Sequence, residues 1–176
     1  MTATSISKFP RPAWQATAIF TLALWLGGSL LLDLVVMPTL YTSGMMAQAD
    51  FATTGYSLFW IFNRLEVICA ALVLTSLLVM RAHRDRFAVV VSGTKSRWAI
   101  GLSVLLLSVA LAYTYLLSPE MSALGVQLNL FATTPEVSAA MDQLHMSYWG
   151  LETIKLLASG LLLGLCYRDL SVNHKP

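Results

Sequence analysis

Between Tyr56 and Met80 the chain reads YSLFWIFNRLEVICAALVLTSLLVM. Arg64 and Glu66 are its only charged residues. About 20 mostly apolar residues suffice for a helix to cross the ~30 Å hydrocarbon core of a bilayer. The run is therefore a membrane span, and it carries two charges at a depth where charge is costly. Both halves of that reading extend to the rest of the sequence.

Three further windows have the same character: Trp14 to Met37, Trp98 to Leu117, and about Leu144 to Tyr167. Each exceeds the apolar region of a signal peptide, so the first is expected to be a retained anchor. The expected fold is an all-α, four-transmembrane-helix bundle, with 1–176 forming one integral membrane domain. Of the 176 residues 57% are hydrophobic and 11% charged, and a soluble domain averages roughly twice that charge. This excludes a disordered chain, a disulfide scaffold and an ordinary soluble enzyme, and the net charge of +2 argues against a nucleic-acid partner. Cys69 and Cys166 fall at depths roughly 10–15 Å apart, beyond disulfide reach.

Proline and capping signals mark the ends of the spans. Pro38 is expected to end the first, because it has no N–H to continue a helix. Ser118-Pro119-Glu120 is expected to close the third and cap a new short helix. Thr133-Thr134-Pro135-Glu136 is a similar start signal, from which a helix runs directly into span four. Short amphipathic helices are thus expected in the outer-side loops.

Charge placement orients the bundle. Lys8, Arg11, Arg81, Arg84, Arg86, Lys95, Arg97, Arg168 and Lys175 all fall at one end of the spans. Segments 38–55 and 118–143 contain no Lys or Arg. The positive-inside rule puts both termini in the cytoplasm. Trp14, Trp98 and Tyr167 then belong to the cytoplasmic interface. Tyr56, Trp60, Tyr113, Tyr115, Tyr148 and Trp149 belong to the opposite one.

The remaining basic residues, Arg64 and Lys155, lie within spans, as do Asp33, Glu66 and Glu152. Charges at such depth are normally paired or functional. Arg64 and Glu66 come out roughly 12–16 Å below the outer surface, and Glu152 and Lys155 at nearly the same level. This register suggests Arg64 with Glu152 and Glu66 with Lys155. Asn63 and His145 extend the polar faces of their helices. An intramembrane polar cluster of Asp33, Asn63, Arg64, Glu66, His145, Glu152 and Lys155 is expected in the outer half. It either fixes helix pairing or forms a site for a ligand, proton or partner.

Cofactor signals are sparse. His145 with Met141 and Met146 offers ligands suited to Cu(I), and a lone histidine can ligate haem. Such methionines more often serve as adaptable apolar packing. His83 and His174 lie in the basic loop and the tail, so no second inward histidine exists for haem. No cofactor is expected. Gly160-x-x-x-Gly164 and Gly27-Gly28-Ser29 permit close helix approach and are read as packing.

Trp25-Leu-Gly-Gly-Ser29, Asp33-x-x-x-Met37-Pro38, Phe62-Asn63-Arg64-x-Glu66 and Leu144-His145-x-x-Tyr148-Trp149-x-x-Glu152-x-x-Lys155 carry a resemblance. They resemble a family of small bacterial four-helix membrane proteins with a domain of unknown function, the cyanobacterial branch in particular. The resemblance implies a four-span topology and a plasma or thylakoid membrane, and no particular chemistry. A fainter similarity is to four-helix copper-resistance and protoporphyrinogen-oxidase-type membrane families, which place a histidine in the first span. This chain has none there.

The expected role is that of an accessory, assembly or binding partner of a larger membrane complex, in contact with lipid and with other membrane proteins or itself. The alternative is a small carrier, or a haem- or metal-linked redox protein, using the outer-half cluster. The inner halves of the spans lack charge, which argues against a transport path through one chain. No nucleophile–base pair shares a depth, which argues against an enzyme.

Overall fold

The computed structural model describes residues 11–45, 51–85, 93–130 and 135–173. The elements are α1 (Arg11–Leu31), a π-helical turn (Leu32–Val36), α2 (Met37–Thr42), α3 (Phe51–Asp85), α4 (Gly93–Ala112), a second π-helical turn (Tyr113–Leu117), α5 (Ser118–Leu130) and α6 (Pro135–Asn173). Four stretches are long and apolar enough to cross a membrane: Ala13–Thr42, Thr54–Ala82, Arg97–Gly125 and Ala139–Arg168. The fold is the all-α bundle that the hydropathy pattern implies. Four crossings put the Arg11 and Asn173 ends on one face. The α2–α3 and α5–α6 connections share the other, called here the connection face.

Neither Pro38 nor Pro119 ends its helix, and the reason is the same at both sites. Met37 N–H bonds to Leu32 O, and Ser118 N–H bonds to Tyr113 O. Both are i→i−5 bonds, made by the residue immediately before the proline. In an α-turn the proline ring would strike the carbonyl four residues back. Widening that turn to π relieves the crowding and re-satisfies the backbone, the adjustment expected where no water can do so. The chain therefore continues through Pro38 to Thr42, where Gly44 turns it at φ 70°. The new short helix expected after Ser118 is instead the continuation of α4. Thr133 and Thr134 lie outside the described residues, as do connections 46–50 and 131–134.

The order of packing decides which side chains can meet. α1 packs on α3 and α6, and α4 packs on the same two. α3 and α6 consequently face each other across a diagonal with no backbone approach between them. The half towards the termini fills this space with apolar side chains, among them Leu22, Val73, Leu77, Leu106, Ala158 and Leu162. Buried serines keep the helices close. Ser76 and Ser103 donate to the carbonyls of Leu72 and Ala99, four residues back on their own helices. The outer surface is apolar: Leu24, Leu34, Leu157 and Leu161 are exposed while Glu66, Glu152 and Lys155 are buried. In water that arrangement would be inverted; in lipid it is the favourable one.

Candidate functional site: a buried charge network

The sequence periodicity aims one face of each span at the diagonal. Along α1 and into the first π turn the four-residue spacing Trp25, Ser29, Asp33 forms a single stripe. On α3 the inward face carries Asn63 and Glu66, on α4 and the π turn that follows it Ala110 and Tyr113, and on α6 Glu152, Lys155 and Ser159. Lys155 spans the gap. Its Nζ lies 2.5 Å from Glu66 Oε1 on the diagonal helix and 2.7 Å from Glu152 Oε1 one turn back on its own. The bond to Glu66 has hydrogen-bond geometry, whereas the Glu152 contact is an ion pair by distance only.

Neutral donors complete the network. Trp25 Nε1 donates to Glu66 Oε1 at 3.0 Å, and Ser29 Oγ to the same oxygen at 3.2 Å. Tyr113 OH donates to Glu152 Oε2 at 3.0 Å, and its ring lies 5.3 Å from Lys155 Nζ. Asp33 and Glu152 are within hydrogen-bonding reach of each other through their side chains. Glu66, Glu152 and Lys155 are 1–2% exposed and Asp33 is 7% exposed. Three oxygens, Asp33 Oδ2, Glu66 Oε2 and Glu152 Oε1, are buried without a hydrogen-bond partner, and of these only Glu152 Oε1 has the Lys155 ion pair.

The structure divides the residues singled out from the sequence. Asp33, Glu66, Glu152 and Lys155 meet at the diagonal. Asn63 is buried at the margin, where its Nδ2 donates to Ser118 Oγ at 2.5 Å. Arg64 and His145 point outward and are exposed. The pairing of Arg64 with Glu152 does not occur, because Arg64 and Glu66 are two positions apart on one helix. Turning Glu66 inward turns Arg64 out, where its guanidinium lies 3.7 Å from the Trp60 ring centroid.

Trp25, Ser29 and Tyr113 are network members that sequence reasoning did not select. The four-residue stripe ending at Asp33 was the available signal for the first two. Tyr113, expected in the outer aromatic belt, is instead 1% exposed. Tyr113 continues the buried α4 stripe of Ser103, Leu106 and Ala110, but the third span carries no charge and so its sequence does not show which face is inward.

A family model described as a domain of unknown function, DUF4149, matches residues 20–129. The chain belongs to that family. The match takes in Asp33, Arg64, Glu66, Tyr113 and both π turns. No curated protein and no solved structure matches the chain. Among the described residues of this DUF4149 protein, no group of three or more His, Cys, Asp or Glu side chains is arranged to hold a metal ion. Met146 and His145 are exposed and Met141 is half-buried. Both cysteines are free thiols. An added Cβ at Gly160 or Gly164 would meet nothing within 4 Å, so that pair makes no close helix contact among the described residues.

Proposed function

We propose that this multi-pass membrane protein is an accessory subunit that docks a neighbouring membrane protein through the α3 flank around Arg64. The observation that carries this reading is an exposed guanidinium within a span. Arg64 lies ten residues from Thr54, about 15 Å along the helix. Its one contact with an aromatic or charged group among the described residues is the Trp60 face. A cation facing lipid at that depth is expensive, and such residues face a bundle interior or a partner that neutralises them. The complementary group is a carboxylate on another membrane helix, which a guanidinium binds in bidentate geometry.

The surroundings suit helix docking. Ile61, Leu65 and Ile68 flank Arg64 and are exposed, giving an apolar surface around one charge. The nine basic residues at the other end of the spans support a cytoplasmic position for both termini, and the family resemblance supports a plasma or thylakoid membrane.

A photo-crosslinking residue at Leu65 in the native membrane tests the proposal. The expected product is one defined protein adduct whose contact helix carries Asp or Glu, lost when Arg64→Gln is added. Adducts to lipid alone would mean that Arg64 reaches headgroup phosphates, and would overturn the docking role. Adducts to a second copy of this chain alone would do the same, replacing it with self-association.

A further inference from the structure

The network around Lys155 has more acid than base. Three carboxyl groups, from Asp33, Glu66 and Glu152, share an enclosed space with a single ammonium. Fully ionised, the set carries two uncompensated negative charges in a low-dielectric interior, where each unpaired ion costs several kcal/mol. The charged and titratable groups facing it from every packed element are known. They are Asp33 from the first π turn, Glu66 and the half-buried thiol of Cys69 from α3, Tyr113 from the second π turn, and Tyr148, Glu152 and Lys155 from α6. None beyond Lys155 supplies positive charge, since Arg64 and His145 face outward.

Two further observations bear on what balances it. Asp33 Oδ2 and Glu66 Oε2, both on side chains more than nine-tenths buried, have no hydrogen-bond partner. An ionised carboxylate oxygen left so costs more than the oxygen of a neutral carboxyl group, which favours protonation. The enclosure is also tight. Glu66, Glu152 and Lys155 are almost wholly inaccessible, and the acids are not arranged around a metal position. A proton fits where a hydrated cation does not.

We infer that Asp33, Glu66 and Glu152 form a buried proton-binding site around Lys155, with two protons shared among the three carboxyl groups. Asp33 is the entry. It is the most exposed of the three and sits in a π turn, a form of local irregularity frequent at functional sites. Its side chain reaches Glu152, Glu152 reaches Lys155, and Lys155 reaches Glu66. Protons thus exchange with the connection face, and the apolar layer of Leu22, Val73, Leu106 and Leu162 closes the way to the other. The site is separate from the Arg64 flank, and neither depends on the other.

Infrared spectroscopy of the full chain in phosphatidylcholine vesicles tests this through the protonated-carboxyl C=O stretch. At neutral pH the surface acids are ionised and silent in that region. The wild-type protein is expected to show the band, to shift it on exchange into heavy water, and to lose part of it in Asp33→Asn and Glu152→Gln. A wild-type spectrum without the band at neutral pH overturns the proposal, whether or not any variant folds. A band unchanged in every variant of Asp33, Glu66 and Glu152 that retains wild-type helicity also overturns it.

Discussion

Lys155 Nζ and Glu66 Oε1, 2.5 Å apart, join two helices whose backbones make no close approach. The bridge ties α6 to α3 through the centre of the bundle, while α1 and α4 pack on its flanks. Its loss is therefore a loss of burial compensation as well as of attraction. Lys155→Met strands Glu66 and Glu152 in the interior, and breaking a buried pair in this way costs about 3–5 kcal/mol. Glu66→Gln leaves Lys155 with Glu152 and costs less. The double variant is expected to lose less than the sum of the singles, with a coupling of about 0.5–3 kcal/mol. Unfolding midpoints in mixed micelles measure all three, and strict additivity would contradict the bridge.

Trp25 and Ser29 place two neutral donors on the oxygen that Lys155 also engages. A hydrogen bond to a charged acceptor contributes about 1.5–3 kcal/mol. Trp25→Phe keeps most of the ring volume and removes the N–H, so a loss in that range is expected. The same substitution in a Glu66→Leu background, where no acceptor remains, is expected to change the midpoint little. Equal losses in the two backgrounds would assign the effect to packing alone.

The spans and the depth of the internal charges were legible because composition and the 1.5 Å rise per residue determine both. The Glu66–Lys155 bridge was legible for the same reason, since α3 and α6 enter from the same face and the residues match in depth. Facing was harder to read. Arg64 and Glu66 had equal claims on a partner until the packing of α1 and α4 against α3 fixed its rotation. Tyr113 was hidden by a different cause. Tyr113 keeps the α-helical phase of buried Leu106 and Ala110, but the third span has no charged residue to mark that face as the inward one. The prolines signalled an irregularity in each span but read as ends, because satisfaction by an i→i−5 bond is set by tertiary context.

Arg64 is the contrast to Lys155. Its side chain is exposed and no carboxylate in the described residues pairs with it, so its removal leaves no buried charge behind. Arg64→Gln is expected to stay within about 0.5 kcal/mol of wild type in the unfolding assay, as substitutions away from structural features do. A loss approaching that of Lys155→Met would mean that Arg64 holds the bundle itself.

The two π turns make a further prediction through their prolines. A π turn holds one residue more than an α-turn, so deleting Val35 allows the first to close into an α-helix. Trp25, Ser29 and Asp33 lie before the deletion and keep their phase on α1. The closed turn, however, returns the carbonyl four residues before Pro38 to a position under the proline ring, at about 3 kcal/mol. Deleting Val35 alone is therefore expected to destabilise the protein by roughly that amount, and adding Pro38→Ala to restore most of it. Pro38→Ala alone is expected to change the midpoint far less, since the existing turn already accommodates either residue. As a control, deleting Ala23 rotates the start of α1 by about 100° relative to Trp25 and removes Ala18 and Leu22 from the core, which no proline change repairs. Failure of Pro38→Ala to rescue the Val35 deletion would show that the π turn exists for some reason other than the proline.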